Sequence, residues 1–156
     1  MVGEQPGDAE DRAGHPFVGP AGQMLNRAMD DAGLDRSTIY LTNAVKHFKW
    51  QQRGKRRMHD TPNAREVAAC HPWLLAELDS LKPELIVCLG GTAATSVMGH
   101  PMKILVNRGK VFPVGSMKVL ITIHPSMLLR LPPGVDRGAA YREFVKDLKG
   151  IPKALG

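Results

Sequence analysis

Apolar residues recur along this chain with two different periods. Between Ala21 and Ala32 they fall at Met24, Leu25, Ala28 and Met29, one face of a helix, and Gly33 supplies the stop. A second helical stretch opens at Thr61-Pro62, with Thr61 as cap, Pro62 at the first helical position and Glu66 in the opening turns. Pro72 predicts a kink or restart before that helix ends near Leu81. Leu85 to Leu89 is a short, wholly apolar run, the pattern of a strand buried on both faces, and Gly90-Gly91-Thr92 turns it into another helix through Met98. Ile39 to Val45 reads as a strand, and Val111 to Val114 and Lys118 to Ile123 as a pair of strands across Gly115-Ser116. His124 to Pro133 reads as a loop, and Ala139 to about Lys149 as a closing amphipathic helix.

Strands alternating with helices predict an α/β fold, a three-layer α/β/α sandwich around a mostly parallel sheet. Ligands in such sheets sit at the carboxyl ends of the strands, where the loops of unusual composition fall here. Gly3 to Gly22 holds five glycines and three prolines and reads as one long structured loop. A loop of that kind is normally fed by a strand, and only Met1 and Val2 precede it. The expectation is therefore a single domain, residues 1–156, that either lacks its first strand or starts its sheet elsewhere.

Composition narrows the partners more than the fold. The 156 residues are 43% apolar and 23% charged, ordinary for one globular domain, and no apolar run approaches the roughly 20 residues of a membrane span. Met1-Val2-Gly3-Glu4 has neither part of a signal peptide, which points to the cytoplasm, and two cysteines make no disulfide framework. The formal net charge of +6 favours a polyanionic partner. Lys46, Lys49, Arg53, Lys55, Arg56 and Arg57 fall within twelve residues with no acidic residue among them, and Phe48 and Trp50 are interleaved. Cations for phosphates and flat rings for bases make a nucleic-acid contact; a solvated basic loop has the same composition.

Four segments carry residues that a core does not demand. Phe17 lies among the glycines and prolines of Gly14-His15-Pro16-Phe17-Val18-Gly19, either as a stacking surface or as a loop anchor. Asn43 ends a strand; its carboxamide offers a donor and an acceptor side by side, which suits a pyrimidine edge, and equally suits a turn. His59, in Gly54-Lys55-Arg56-Arg57-Met58-His59-Asp60, is the one side chain of its loop able to act as nucleophile or base near neutral pH, unless it is merely a surface histidine. His124, in Ile123-His124-Pro125-Ser126, follows an apolar strand and is placed to donate to developing negative charge, with Leu128 and Leu129 behind it either as a wedge for a base stack or as buried packing. His47, His59, Cys70 and His71 match no compact zinc-finger spacing, and Cys88 reads as a core residue.

Together these segments resemble a family 4 uracil-DNA glycosylase, and most closely its UdgX branch. The resemblance rests on Gly3-Glu4-Gln5-Pro6-Gly7 with Glu10-Asp11, on Gly14 to Gly22, and on Thr42-Asn43-Ala44-Val45-Lys46-His47-Phe48-Lys49. It continues through Lys55-Arg56-Arg57-Met58-His59, Ala69-Cys70-His71-Pro72-Trp73 and His124-Pro125-Ser126, in the family's order and over nearly the whole chain. It implies a DNA-repair enzyme that flips uracil out of DNA, with single-stranded DNA the expected form and a monomer the expected state. Gln5, Asp8, Phe17 and Asn43 would bind uracil, and Lys55, Arg56, Arg57, Ser126, Leu128 and Arg130 would contact the DNA. His124 would stabilise the departing base. In the UdgX branch a histidine matching His59, assisted by Glu4, bonds to the sugar C1′ and leaves a covalent adduct. Ordinary members use water and release an abasic site, and a non-catalytic DNA-binding remnant is a third reading.

This sequence departs from the branch in two places. Asp60 stands where a basic residue is expected. The family's [4Fe–4S] cluster implies a Cys-x-x-Cys upstream of the first motif, and no such pair is present; Cys70 matches one cluster ligand and His47 stands where ordinary members carry another cysteine. The expected ligand set is thus incomplete, and an N-terminally truncated relative is expected.

Overall fold

The computed structural model describes all residues from Met1 to Gly156. Five strands form one sheet, β1 (Val2–Gly3), β2 (Thr42–Asn43), β5 (Leu85–Leu89), β6 (Val111–Val114) and β7 (Met117–Thr122), in the order β2-β1-β5-β7-β6. The first four run parallel, and β6 pairs antiparallel with β7 along the far edge. A strand therefore does feed the glycine-rich segment: Val2 and Gly3 pair with Thr42 and Asn43 on one side, and Val2 with Cys88 on the other.

The alternation within β5 shows why this sheet needs helices on both faces. Val87 and Leu89 point to a cluster built with Leu25, Ala28 and Met29 of α2 (Pro20–Asp31) and Phe144, Leu148 and Ile151 of α7 (Arg137–Leu155). Ile86 and Cys88 point the other way, to Leu74 of α3 (Ala64–Leu81) and Ala93 and Ala94 of α4 (Gly91–Met98). Both faces being covered, every position of the run is apolar, and the fold is the expected α/β/α sandwich.

Several elements differ from the pattern reading. The glycine-rich stretch contains a helix, α1 (Asp8–Ala13), which buries no residue and so leaves no apolar period to read. The strand expected over 39–45 is confined to Thr42–Asn43, and a single 3-10 turn at Arg36–Thr38 precedes it. Helix α3 is capped by Asn63 rather than Thr61: Asn63 Oδ1 accepts from the Glu66 amide at 3.0 Å and Glu66 Oε2 accepts from the Asn63 amide at 2.7 Å, a complete capping box. The helix runs on through Pro72 to Leu81. Two further single-turn helices, α5 (Ile104–Asn107) and α6 (Ser126–Leu129), occupy loops, and α7 begins at the Asp136 cap and extends to Leu155.

The basic segment is a β-hairpin, not a loop. β3 (Trp50–Arg53) and β4 (Arg56–His59) pair antiparallel, Trp50 opposite His59, and turn at Gly54 with φ +58°. A two-stranded ribbon has little stability by itself. Here it is tied to the domain by side chains that converge on the functional site.

Candidate active site

Parallel pairing puts the carboxyl ends of β1, β2, β5 and β7 on one edge of the sheet. Their continuations bring Glu4, Asn43, Gly90 and His124 together around a cavity of about 570 Å³, to which Asp8, Phe17, His59, Ser126, Leu129 and Arg130 also contribute. A second cavity of about 520 Å³, lined by Met1, Ile39, Leu85 and Ile151 among others, contains no histidine.

The floor is built by close backbone approach. A side chain at Gly3 would press on Asn43 Oδ1 and the Phe17 ring, so β1 ends between those two groups only because residue 3 is glycine. Phe17 is held at φ +57°, a strained conformation for a residue with a side chain, and Gly22 packs its Cα against the Phe17 carbonyl. Glu10 braces the same turn by accepting from the Gly19 amide at 3.0 Å. Phe17 is buried, and its ring lies 6.0 Å from that of His124 at an interplanar angle of 27°. Asn43 is 7% exposed, and its carboxamide is engaged by no other group of the chain.

His124 follows β7. The Ser126 amide donates to His124 Nδ1 at 3.2 Å, with Ser126 Oγ 2.8 Å from the same nitrogen. Nδ1 is thus the acceptor, and the ring proton belongs on Nε2. Burial pushes the His124 pKa down to about 4, against the attraction of Glu4, so near neutrality the ring is an uncharged donor. Arg130 reaches back to Ser126 Oγ at 2.8 Å and braces this turn.

On the opposite wall, His59 Nε2 lies 3.1 Å from Glu4 Oε1. The other carboxylate oxygen, Oε2, accepts from Thr92 Oγ1 at 2.6 Å. Glu4 is held below the usual carboxylate range chiefly by the His59 hydrogen bond; partial burial opposes that shift and the Thr92 bond reinforces it. His59 is part-exposed at the end of β4, facing the cavity across Glu4.

Other expected site residues have different surroundings from those the sequence implied. Gln5 lines the cavity, but its carboxamide donates to the carbonyls of Lys49 and Asp60 (3.1 and 3.0 Å) and accepts from the Lys49 amide (3.1 Å), clamping the two ends of the hairpin. Asp8 pairs with Arg57 and with Arg12, and Asp11 takes Arg57 Nη1 at 2.7 Å. The Arg57 guanidinium also lies over Phe48 (5.3 Å) and Trp50 (5.5 Å), so this cation is an internal brace, whereas Lys55 and Arg56 stand exposed at the hairpin tip. Of the leucine pair, Leu128 is 5% exposed within the core and Leu129 is 41% exposed at the cavity. Leu128, expected as a DNA contact, is packed within the core. Thr92, unremarkable in sequence as part of a glycine turn, is the residue that reading by motif missed.

The two expected iron–sulfur ligands, Cys70 and His47, lie side by side. Cys70 Sγ lies 3.5 Å from His47 Nδ1 and accepts from the Lys46 amide at 3.3 Å. No third histidine, cysteine or carboxylate joins them, and Cys88 is sealed in β5, its thiol pushed up to about 12 by burial. A four-iron cluster takes four ligands. These residues do not fit that group.

A flat ring, a carboxamide, a neutral histidine donor and a histidine–carboxylate pair thus surround one cavity. The chain belongs to the uracil DNA glycosylase superfamily, whose family profile matches residues 1–149. It is 40% identical to the type-4 uracil-DNA glycosylase of Thermotoga maritima over 156 residues, 99% of this chain and 74% of that protein. The type-4 uracil-DNA glycosylases of Pyrobaculum aerophilum (38% identical, 95% of this chain and 73% of that protein) and Archaeoglobus fulgidus (32%, 100% and 76%) are similar over comparable lengths. No helix is long and apolar enough to cross a membrane.

Proposed function

We infer that this chain excises uracil from DNA and that His59 captures the sugar it leaves behind. The observation carrying this reading is the contact between His59 Nε2 and Glu4 Oε1, 3.1 Å apart, on the wall of the cavity that Phe17, Asn43 and His124 also line. Uracil extruded from single-stranded DNA stacks on Phe17, and the Asn43 carboxamide reads its polar edge. The N-glycosidic bond breaks with its electron pair passing to the base. Negative charge spreads onto a pyrimidine oxygen, where the neutral His124 donates a hydrogen bond. The sugar becomes oxocarbenium-like at C1′. A ring nitrogen of His59 supplies the pair that forms the new N–C1′ bond, its proton passes to Glu4, and the uracil anion takes a proton from solvent. One protein molecule then reacts once and stays attached, as a monomer.

The type-4 enzymes it resembles are named as glycosylases, which favours release of uracil and an abasic site as the second reading. Incubation with a uracil-containing single-stranded oligonucleotide followed by a denaturing protein gel separates the two. A uracil-dependent slower band in the parent, absent in His59→Ala, is expected. Alkali-labile DNA with no shifted band would show turnover through water and overturn capture by His59; intact DNA would overturn both readings.

A further inference from the structure

We propose that Thr92 is a positioning residue for the reaction, fixing Glu4 so that one carboxylate oxygen is committed to His59. This rests on the Glu4–His59 pair of the proposed function. Pairing of β1 with β5 sets the two segments side by side: Val2 lies opposite Cys88, so Glu4 emerges from β1 next to the turn where β5 passes into α4. Thr92 is the second residue of α4, and its hydroxyl donates to Glu4 Oε2 at 2.6 Å. Glu4 Oε1 is left to His59 Nε2 at 3.1 Å.

The hydroxyl does two things for a carboxylate in this setting. It satisfies an oxygen that is partly withdrawn from water, favouring the charged form against the burial that disfavours it. It also removes the rotation that would let either oxygen drift from His59, because a short charge-assisted bond fixes the plane of the carboxyl group. A glutamate without this contact is both easier to protonate and free to turn, and each change withdraws the proton acceptor that His59 needs.

The test is a single-turnover pH–rate profile with saturating uracil-containing single-stranded DNA, for the parent, Thr92→Val and Thr92→Ser. Thr92→Val keeps the branched shape and loses the donor. Its maximal rate should fall by about tenfold, on the scale of one hydrogen bond to a charged group. The acid limb of its profile should move to higher pH, and the DNA concentration giving half-maximal rate should be unchanged. Thr92→Ser should restore both rate and limb. Profiles of Thr92→Val and parent that superimpose would overturn the proposal, and so would a serine variant as impaired as the valine one. Thermal unfolding of each variant identifies a folding defect, and a well-folded but slow serine variant still counts against the hydroxyl. Should the parent release uracil without forming an adduct, capture by His59 fails, while the same limb comparison, read on uracil release, still decides the role of Thr92.

Discussion

Gln5 and Lys49 pair reciprocally: the Lys49 amide donates to Gln5 Oε1 at 3.1 Å, and Gln5 Nε2 donates to the Lys49 carbonyl at 3.1 Å. A third bond, from Nε2 to the Asp60 carbonyl at 3.0 Å, reaches the other end of the hairpin, where the Asp60 amide also donates to Lys49. One side chain thus closes the base of the ribbon that carries His59. Gln5→Glu keeps the length but turns the donor into an acceptor opposite two carbonyls. It is expected to lower stability by about 1–3 kcal/mol, the range for unsatisfied buried groups, and to slow adduct formation more than DNA binding. Chemical denaturation and single-turnover rates on the same samples check this.

The basic residues of the hairpin divide into two kinds. Arg57 is neutralised by Asp8 and Asp11 and packed against Phe48 and Trp50, while Lys55 and Arg56 face solvent. Lys55→Ala and Arg56→Ala should each weaken DNA binding irrespective of sequence and reduce the salt dependence by about one counterion. Arg57→Ala should leave that slope unchanged and instead slow the chemical step, because the ribbon loses its tie to α1. Binding isotherms at several salt concentrations distinguish the two outcomes.

Leu128 and Leu129 are neighbours in opposite surroundings, one in the core and one at the cavity. Leu128→Ala empties part of the core and is expected to cost about 2–5 kcal/mol of stability. Leu129→Ala should change stability by less than about 0.5 kcal/mol, the usual range for surface sites, yet reduce uracil excision from duplex DNA, where an apolar side chain must fill the vacated stack. Melting curves and duplex excision rates should therefore rank the two variants in opposite orders.

His124 gives the fold a pH dependence of defined sign. Its folded pKa is about 4 against an ordinary 6.5, so the unfolded chain binds the extra proton between those values. Stability should therefore rise with pH across that window, by at most about 1.4 kcal/mol per unit from this group, and its contribution is complete above pH 6.5. Replacing His124 with Asn should remove this part of the slope, as measured by urea denaturation at pH 4.5, 5.5 and 6.5.

Periodicity made the sandwich legible. The run Leu85 to Leu89 and the face Leu25, Ala28 and Met29 are apolar because they are buried, and burial is what such patterns report. Elements without burial were opaque: α1 buries nothing, and all four residues of β3 are exposed, so neither carries a period. Within the site, His59, Glu4, Asn43, Phe17 and His124 were recognisable by type and by motif, and the structure gathers them around one cavity. The engagement of Gln5 with the hairpin backbone and of Thr92 with Glu4 depends on contacts across 44 and 88 residues, which no local pattern encodes.

The decisive measurement is the mass of the peptide bearing His59 after reaction with a uracil-containing single-stranded oligonucleotide. Nuclease treatment followed by trypsin would yield a peptide from Met58 to Arg65, since Arg57 precedes it and Arg65 ends it. The expected result is that this peptide gains the mass of a deoxyribose-phosphate remnant, with fragmentation placing it on His59 and no gain when thymine replaces uracil. An unmodified Met58–Arg65 peptide beside released uracil, or a remnant mapped to any other residue, would contradict capture by His59.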